Sequence, residues 1–282
     1  MLAERSVTAP APDGAASVAT LAGELAQRGI AVEDLGLRQP EMLADATIQP
    51  IMFVLLFAFV FGGAIDVPGG GSYREFLMGG IFAQTIVFGA FGVAIALAYD
   101  RQNGAIDRFH SLPIPRASVL AGHAVASWIK ALLPIVLMSA AGFVVGWKIH
   151  SGILGILGGY ALMIAFSFAI IWIGVLLGSI LGTPEGVQGV AFIAIFPLTF
   201  VASTFVPTST LPSVLRTIAE WNPVSSLANA LRNLFENPGG VTPDSGPWPI
   251  QHPIAYTLIW IAVILAVAAP LAVRAYQRSI RS

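Results

Sequence analysis

Residues 46–65 read ATIQPIMFVLLFAFVFGGAI, a stretch of twenty residues without a formal charge. A helix that rises about 1.5 Å per residue needs about 20 apolar residues to cross the roughly 30 Å hydrocarbon core of a bilayer. The continuous apolar run inside this stretch argues against a membrane β-barrel, whose strands alternate in hydropathy at every second residue. The stretch therefore predicts a membrane-spanning helix.

The whole chain has an unusual composition. Of its 282 residues, 56% are hydrophobic and 10% are charged, and the mean hydropathy is +0.80. Soluble domains have about 45–50% apolar and about 25% charged residues. Ten of the 29 charged residues fall in residues 1–45, so this part is predicted to be soluble and the remainder to be a polytopic membrane protein. A net charge of −1 and the lack of cysteine argue against nucleic-acid binding, thiol catalysis and cysteine-held metals.

Six segments are predicted to span the membrane as helices, which gives an all-α fold. They are residues 46–65, 76–98 and 124–147, a stretch within 153–181, a fifth from about residue 187, and 254–273. Pro197, Pro207 and Pro212 interrupt the fifth, which is expected to end in a short hairpin or half-helix. The termini and the loops on their predicted side of the membrane carry nine Lys and Arg residues, and the loops on the other side carry four, with Lys130 unassigned. Because Lys and Arg concentrate on the cytoplasmic side, both termini are predicted to lie in the cytoplasm.

Small residues recur at a spacing that lets helix backbones approach each other closely. They are Gly155, Gly158 and Gly159, followed by Gly174 and Gly178. Two interpretations are open: packing between helices of this chain, which is favoured, and a dimer face.

Lys130 is the one charged residue inside the predicted spans, and charge within a bilayer is expensive enough to suggest a role in the transport pathway. It lies about two turns from the end of its span, so the favoured alternative is that its long side chain reaches the interface. Phe88 and Phe91 are further pathway candidates because they offer aromatic apolar faces, although lipid contact is the favoured explanation for each of them. Asp66 and Glu75 flank a predicted outer loop and are expected to be solvated.

Residues 99–123, YDRQNGAIDRFHSLPIPRASVLAGH, form a charged segment between two apolar spans. Asp100 is a suitable cap for a short amphipathic helix, and Pro113 would end it. Apolar residues at three-residue spacing, Ile106 and Phe109 among them, form its stripe. A helix of this kind can lie on lipid, dock on a soluble partner or only connect the two spans.

This segment resembles the cytoplasmic loop of ABC-2 type exporter permeases, specifically the daunorubicin-resistance-like subfamily of actinobacteria. The matching pieces are Asp100, Arg101 and Gly104, then IDRF (106–109), SLPIPR (111–116) and VLAG (119–122). Residues 41–65 resemble that subfamily's entry into its first span. Residues 205–232 resemble its extracellular hairpin, with the Asn-Pro turn at Asn222 and Pro223.

The resemblance implies that residues 41–282 are a permease domain, a six-helix transmembrane bundle of the ABC-2 exporter type in a bacterial inner membrane. It implies a coupling helix in the loop that fits a groove of a separate ABC ATPase subunit, present in two copies and binding ATP and Mg²⁺. A second permease chain, identical or different, and lipid are the other implied partners, and no cofactor is implied for this chain. The implied coupling residues are Asp100, Arg101, Gly104, Asp107, Arg108, Phe109, Pro113 and Arg116.

Residues 6–40 resemble instead the C-terminal βαβ tail of the partner ATPase subunit. Apolar residues from Val18 to Leu25 follow the helical period, and Gly29 ends the predicted helix. The hypothesis is that residues 1–40 are a cytoplasmic appendage, joined near residues 38–41 to a permease that lacks its own N-terminal elbow helix. An ordered module and a poorly packed appendage are both open.

The leading hypothesis for function is an exporter permease for a hydrophobic drug or lipid. The chain has no G-x-x-x-x-G-K-[ST] phosphate loop, so ATP hydrolysis is assigned to the partner subunit and the chain itself is not expected to be an enzyme. One alternative is an ion-coupled secondary carrier, which would place acidic residues near the midplane in broken helices. The other is a nonfunctional permease chimera that serves at most as a scaffold.

Overall fold

A computed structural model describes residues 40–62, 65–67, 70–102, 116–239 and 246–279. All regular structure in these residues is helical, as the sequence predicts. The helices are α1 (Pro40–Val60), α2 (Tyr73–Gln102), α3 (Arg116–Val145), α4 (Ile153–Leu181), α5 (Pro184–Phe200), α6 (Ser213–Glu220), α7 (Pro223–Phe235), α8 (Trp248–Gln251) and α9 (Pro253–Ser279), with a 3₁₀ turn at Thr208–Thr210. The chain divides into two units, Met1–Asp45 and Ala46–Ser282. The predicted βαβ appendage lies outside the described residues except for Pro40, and its boundary at residue 40 stays a prediction.

Four helices of the described chain are long and apolar enough to cross a membrane, judged by length and composition. They are Tyr73–Gln102, Ser127–Val145, Ile153–Leu181 and Pro253–Tyr276. These helices coincide with the second, third, fourth and sixth predicted spans. The apolar stretches Ile51–Val60 and Pro184–Phe200 are shorter. The predicted total of six spanning helices therefore stays a prediction for α1 and α5.

Helices α2 and α4 form the centre of the bundle, because each is more than half buried along its most apolar stretch. Glycine allows their backbones to touch. A Cβ atom on Gly174 would overlap the carbonyl oxygen of Ala90, and Gly178 meets the next turn of α2 in the same way. Gly155 and Gly159, near the start of α4, lie equally close to α7. These glycines therefore serve packing within the chain, which was the favoured interpretation.

The fifth predicted span ends as the sequence indicates. Helix α5 begins at a capped end, where Pro184 occupies the first helical position and Thr183 Oγ1 accepts a hydrogen bond from the Gly186 N–H at 3.3 Å. It stops at Phe200, soon after Pro197. The chain then folds through the 3₁₀ turn and α6 into α7, which packs among α2, α4 and α9. With 13 residues, α7 is a half-helix inserted into the bundle, because about 20 Å of helix cannot cross a 30 Å core.

Asn222 holds this half-helix in place at its first turn. Its Oδ1 accepts a hydrogen bond from the Val224 N–H at 2.8 Å, which caps α7. Its Nδ2 donates to the carbonyl oxygens of Leu198 at 2.6 Å and Val201 at 3.3 Å. One amide side chain therefore joins the start of α7 to the end of α5.

We expect Asn222→Ala to lower the free energy of unfolding by about 1–3 kcal/mol, because it removes a helix cap and the donor to two carbonyl groups. Thermal unfolding of the purified protein in detergent measures the change. Thr183→Ala is the matched control, since Thr183 also caps a helix with proline at its first position but makes its capping bond in an exposed setting. An equal loss of unfolding free energy in the two variants would show that the hydrogen bonds from Asn222 to the end of α5 add nothing to stability.

Candidate functional site

One end of the bundle carries the residues that flank the predicted coupling segment. Helix α2 runs through Gln102 and α3 begins at Arg116, so the segment between them, residues 103–115, is shorter than the predicted loop of residues 99–123. The interpretation of Asp100 as a helix cap is wrong. Asp100 lies in the last turn of α2, because the helix continues beyond its apolar part without a break. Its carboxylate interacts electrostatically with Tyr276 of α9.

Arg101 ties this end of α2 to the end of α4. Its Nη1 donates to the carbonyl oxygen of Ser179 at 3.1 Å, and its guanidinium lies beside Gly182, which ends α4 with φ of 66°. Carbonyl groups in the last turn of a helix lack an intrahelical donor, so a cation here satisfies one of them and complements the helix dipole. Arg101 therefore fixes the end of α2 against α4.

The structure places two of the eight predicted coupling side chains, Asp100 and Arg101, at neighbouring positions on one helix end. Arg116 is the first residue of α3, and its side chain lies outside the described residues. The other five also lie outside the described residues: Gly104, Asp107, Arg108, Phe109 and Pro113. Their role in coupling stays a prediction.

The three predicted pathway residues occupy different surroundings. Lys130 is exposed on α3. Phe88 is half-buried against the main core, and Phe91 lies between that core and a small buried cluster that includes Val187 of α5. Their part in transport stays a prediction.

A series of phenylalanine rings runs from α1 to α5 through Phe205. The ring centroids of Phe57 and Phe205 are 4.2 Å apart, those of Phe205 and Phe200 are 5.4 Å apart, and those of Phe200 and Phe196 are 4.2 Å apart. The phenylalanine series consists of Phe53, Phe57, Phe61, Phe205, Phe200, Phe196 and Phe192. Phe205 in the middle of the series belongs to the buried core, whereas Phe61 (37% exposed) and Phe192 (67% exposed) lie at its outer ends. The series therefore leads from the core to an exposed aromatic surface.

Arg232 of α7 is fully buried. Its Nε donates to the carbonyl oxygen of Phe76 at 2.9 Å, and its Nη2 donates to that of Ser203 at 2.7 Å. Its Nη1 donates to Ser203 Oγ at 3.0 Å and to Asn229 Oδ1 at 2.8 Å. The guanidinium also lies 3.6 Å from the centroid of the Phe76 ring. One side chain therefore joins α2, α7 and the segment after α5.

The Arg232 charge is held by carbonyl, hydroxyl and amide oxygens and by an aromatic face. Arginine is not deprotonated in proteins at neutral pH, so Arg232 carries its charge in this buried position. The sequence does contain a signal for this burial. Ala228 and Phe235, four residues before and three after Arg232, share its face of the helix and are apolar. An arginine that shares a helix face with apolar residues is buried together with them when that face packs against the core.

The expectation that Glu75 is solvated is wrong. Glu75 is 8% exposed, and its Oε1 lies 3.1 Å from Nε2 of His150. The reason is that α2 begins at Tyr73, before the predicted start of the span, so Glu75 belongs to the first helical turn. Asp66, by contrast, is exposed as expected.

Comparison with known proteins gives relatives over most of the chain. Residues 66–273 match the family model described as ABC-2 family transporter protein. The chain is 30% identical over 238 residues to the daunorubicin resistance ABC transporter permease protein DrrB1 of Streptomyces coeruleorubidus, covering 84% of this chain and 80% of the relative. It is 26% identical over 235 residues to the probable doxorubicin resistance ABC transporter permease protein DrrC of Mycobacterium tuberculosis, covering 83% and 81%. It is also 26% identical over 208 residues to the putative transport permease ycf38 of Porphyra purpurea, covering 71% and 69%.

These comparisons confirm the resemblance inferred from the loop and hairpin motifs. The matched region begins just before α2 and ends within α9. Of the four helices in the described chain that are long and apolar enough to span a membrane, it contains three completely and all but the last turn of the fourth. The chain is a multi-pass membrane protein, and it belongs to the ABC-2 family of transporter permeases.

Proposed function

We propose that this chain is the permease subunit of an ATP-driven exporter that moves hydrophobic drugs or lipids out of the cell. The observation that carries the proposal is the family match over residues 66–273, together with relatives named for daunorubicin and doxorubicin resistance. Two copies of a separate ABC ATPase subunit bind ATP and Mg²⁺. Two permease chains, identical or different, enclose the pathway.

The coupling segment passes ATP-driven motion of the ATPase to the membrane helices. Such coupling needs a stiff connection between the docking surface and the bundle, because soft segments absorb displacement instead of transmitting it. The bond from Arg101 to the last turn of α4 supports this role, since it ties the helix that enters the segment to a second helix of the bundle. Displacement of residues 103–115 then moves α2 and α4 together.

The proposed cargo is hydrophobic or amphipathic and includes planar aromatic drugs. The phenylalanine series supports this class, because aromatic rings pack favourably in offset or edge-to-face arrangements with other rings. Phe192 is 67% exposed and Phe196 is 43% exposed, so their faces are open to a ligand. Phe88, Phe91 and Lys130 remain candidates for the same pathway.

In the proposed topology both termini lie in the cytoplasm and six helices span a bacterial inner membrane. The arginine-rich loops support this orientation. Helix α1 contributes 15 uncharged residues, 46–60, which form about 22 Å of helix, and the uncharged residues that follow belong to the same predicted span. Helix α5 has 17 residues, about 25 Å, and completes the crossing together with the segment that leads to Phe205.

Co-purification with an ABC ATPase, followed by ATP hydrolysis in lipid vesicles, tests this function. We expect Phe109→Ala to weaken ATPase binding about tenfold, because removing an aromatic anchor from a docking pocket costs more than 1 kcal/mol. Arg108→Glu should have at least the same effect through charge reversal. The matched controls are Phe143→Ala and Lys148→Glu, which change an exposed phenylalanine and an exposed lysine toward the other end of α3.

The outcomes separate the function from the coupling assignment. If the unaltered chain neither binds the ATPase nor changes its hydrolysis rate with a hydrophobic drug, the exporter proposal fails. If it does both but Phe109→Ala behaves like Phe143→Ala, only the coupling assignment fails. Drug uptake driven by an imposed ion gradient without ATP would favour the ion-coupled carrier instead.

A further inference from the structure

Helix α6 is amphipathic, and its apolar side is exposed. At about 100° per residue its large apolar side chains, together with Trp221 directly after the helix, share one arc of about 120°, and its polar side chains share the opposite arc. The apolar arc consists of Val214 (70% exposed), Leu215 (39%), Ile218 (53%) and Trp221 (50%), the last directly after the helix. The polar arc consists of Ser213, Arg216, Thr217 and Glu220. In a soluble domain the apolar arc would face the core.

Three contacts hold the helix in this orientation. On the polar arc, Arg216 Nη2 donates to the carbonyl oxygens of Ser209 at 2.7 Å and Leu211 at 3.2 Å. Ala219 is fully buried against the rest of the chain. At the C-terminal end, the hydroxyl of Tyr256 donates to the Trp221 carbonyl oxygen at 2.9 Å. The apolar arc is therefore fixed outward by the fold.

Aromatic residues mark the depth at which α6 lies. The rings of Trp221 and Trp248 meet the ring of Tyr256 edge to face, with centroids 6.1 Å and 6.0 Å away. Tyr256 lies one turn into α9, where the candidate span Pro253–Tyr276 begins. Trp and Tyr concentrate at the boundary between lipid and water, because their rings are apolar and their N–H and O–H groups are polar. The group therefore places α6 beside the start of a span.

We propose that α6 lies in the membrane interface, with Val214, Leu215 and Ile218 inserted into lipid and the polar arc facing water. Lipid suits the exposed arc better than a second protein does. The apolar arc has four exposed side chains, whereas a stable protein interface takes about 20–30 residues from each partner, so the arc alone is too small to hold a second protein. Amphipathic interfacial helices, in contrast, bury their apolar face about 5–10 Å into the boundary between headgroups and acyl chains.

This placement gives α6 a structural task. Trp221 immediately precedes Asn222, the residue that caps α7 and joins it to α5. An α6 anchored in the interface therefore sets the depth at which the half-helix α7 enters the bundle.

Spin labels on single cysteines test the proposal, and the chain has no native cysteine to interfere. The variants are Ile218→Cys on the apolar arc and Thr217→Cys, its neighbour on the polar arc. Each is labelled, reconstituted in phosphatidylcholine vesicles and measured for collisions with oxygen, which concentrates in lipid, and with a water-soluble nickel chelate. We expect the position-218 label to favour oxygen and to report a depth of about 5–10 Å, and the position-217 label to favour the chelate.

Two results would overturn the proposal. If both labels meet the nickel chelate equally often, α6 lies in water. If the label at position 218 is shielded from both reagents, protein covers the apolar arc instead of lipid. Val214→Cys and Ser213→Cys repeat the same comparison should either first variant fail to fold, and none of these readouts depends on export activity.

Discussion

Arg232→Met is expected to lower the free energy of unfolding by about 2–6 kcal/mol. The substitution takes the donors away from the Ser203 carbonyl oxygen and from Asn229 Oδ1, two buried acceptors that each cost about 1–3 kcal/mol when left without a partner. It also removes the cation from the face of the Phe76 ring. Thermal unfolding of the purified protein in detergent, followed by tryptophan fluorescence, measures the loss.

One effect of the substitution acts in the opposite direction. Methionine removes the desolvation cost of a buried charge, and apolar replacement of buried ions is neutral or stabilising in some proteins. We expect the loss of hydrogen bonds to dominate here. The oxygens around Arg232 come from three separate segments, and the methionine side chain has no N–H group to donate to any of them. Arg232→Lys should also lower the unfolding temperature, since a single ammonium group cannot reproduce the planar guanidinium that reaches oxygens of all three segments.

Arg216→Met is the matched control for both variants. Arg216 also donates to carbonyl oxygens, but in an exposed setting where water can replace it. We expect its effect to stay within about 0.5 kcal/mol. If Arg232→Met unfolds at the same temperature as Arg216→Met, the guanidinium does not hold the three segments together.

The spans were largely predictable because a bilayer imposes a simple rule on sequence. Twenty apolar residues in a row satisfy that rule wherever they occur, so the fourth predicted span lies within α4. The prolines indicated the end of the fifth span less exactly, because Pro197 lies inside α5, which continues to Phe200. Helix ends outside the apolar zone follow no such rule. Helix α2 extends through Asp100 to Gln102, because backbone hydrogen bonding continues where hydropathy falls. The segment between α2 and α3 is therefore shorter than the predicted loop of residues 99–123.

The polar contacts of the site were harder to predict for a related reason. The partners of Arg232 lie on α2 and beyond α5, at sequence separations of 156 and 29 residues, so local pattern alone cannot pair them. The pairing of Glu75 with His150 likewise joins α2 to the chain after α3. In contrast, the resemblance to the permease family indicated the turn at Asn222 and Pro223, and the structure shows that Asn222 caps the helix that follows it.

Gly174→Val is expected to destabilise the protein by about 3 kcal/mol, the upper end of the usual cost of overpacking a core. The added Cβ overlaps the carbonyl oxygen of Ala90, and a backbone atom inside a helix cannot rotate away as a side chain can. The α2–α4 contact must therefore open at the centre of the bundle. The unfolding temperature in detergent and the fraction of monodisperse protein on size exclusion measure the effect.

Gly92→Val is the control that isolates packing from helix propensity. Gly92 lies on α2 with no atom within 4 Å of an added Cβ, so valine there meets open space. Both variants make the same exchange of glycine for valine in a helix interior, which favours the helix by a few tenths of a kcal/mol. We therefore expect Gly92→Val to unfold at or slightly above the temperature of the unaltered protein.

The same pair of variants separates packing within the chain from contact with a second permease. If Gly174 faced a second chain, valine would change the mass of the detergent complex by one chain and leave the unfolding temperature unchanged. In the structure α2 already fills the space in front of Gly174. We therefore expect the unfolding temperature to fall while the surviving protein keeps its oligomeric mass. A changed mass at an unchanged unfolding temperature would contradict the α2–α4 contact and move the glycines to a dimer face.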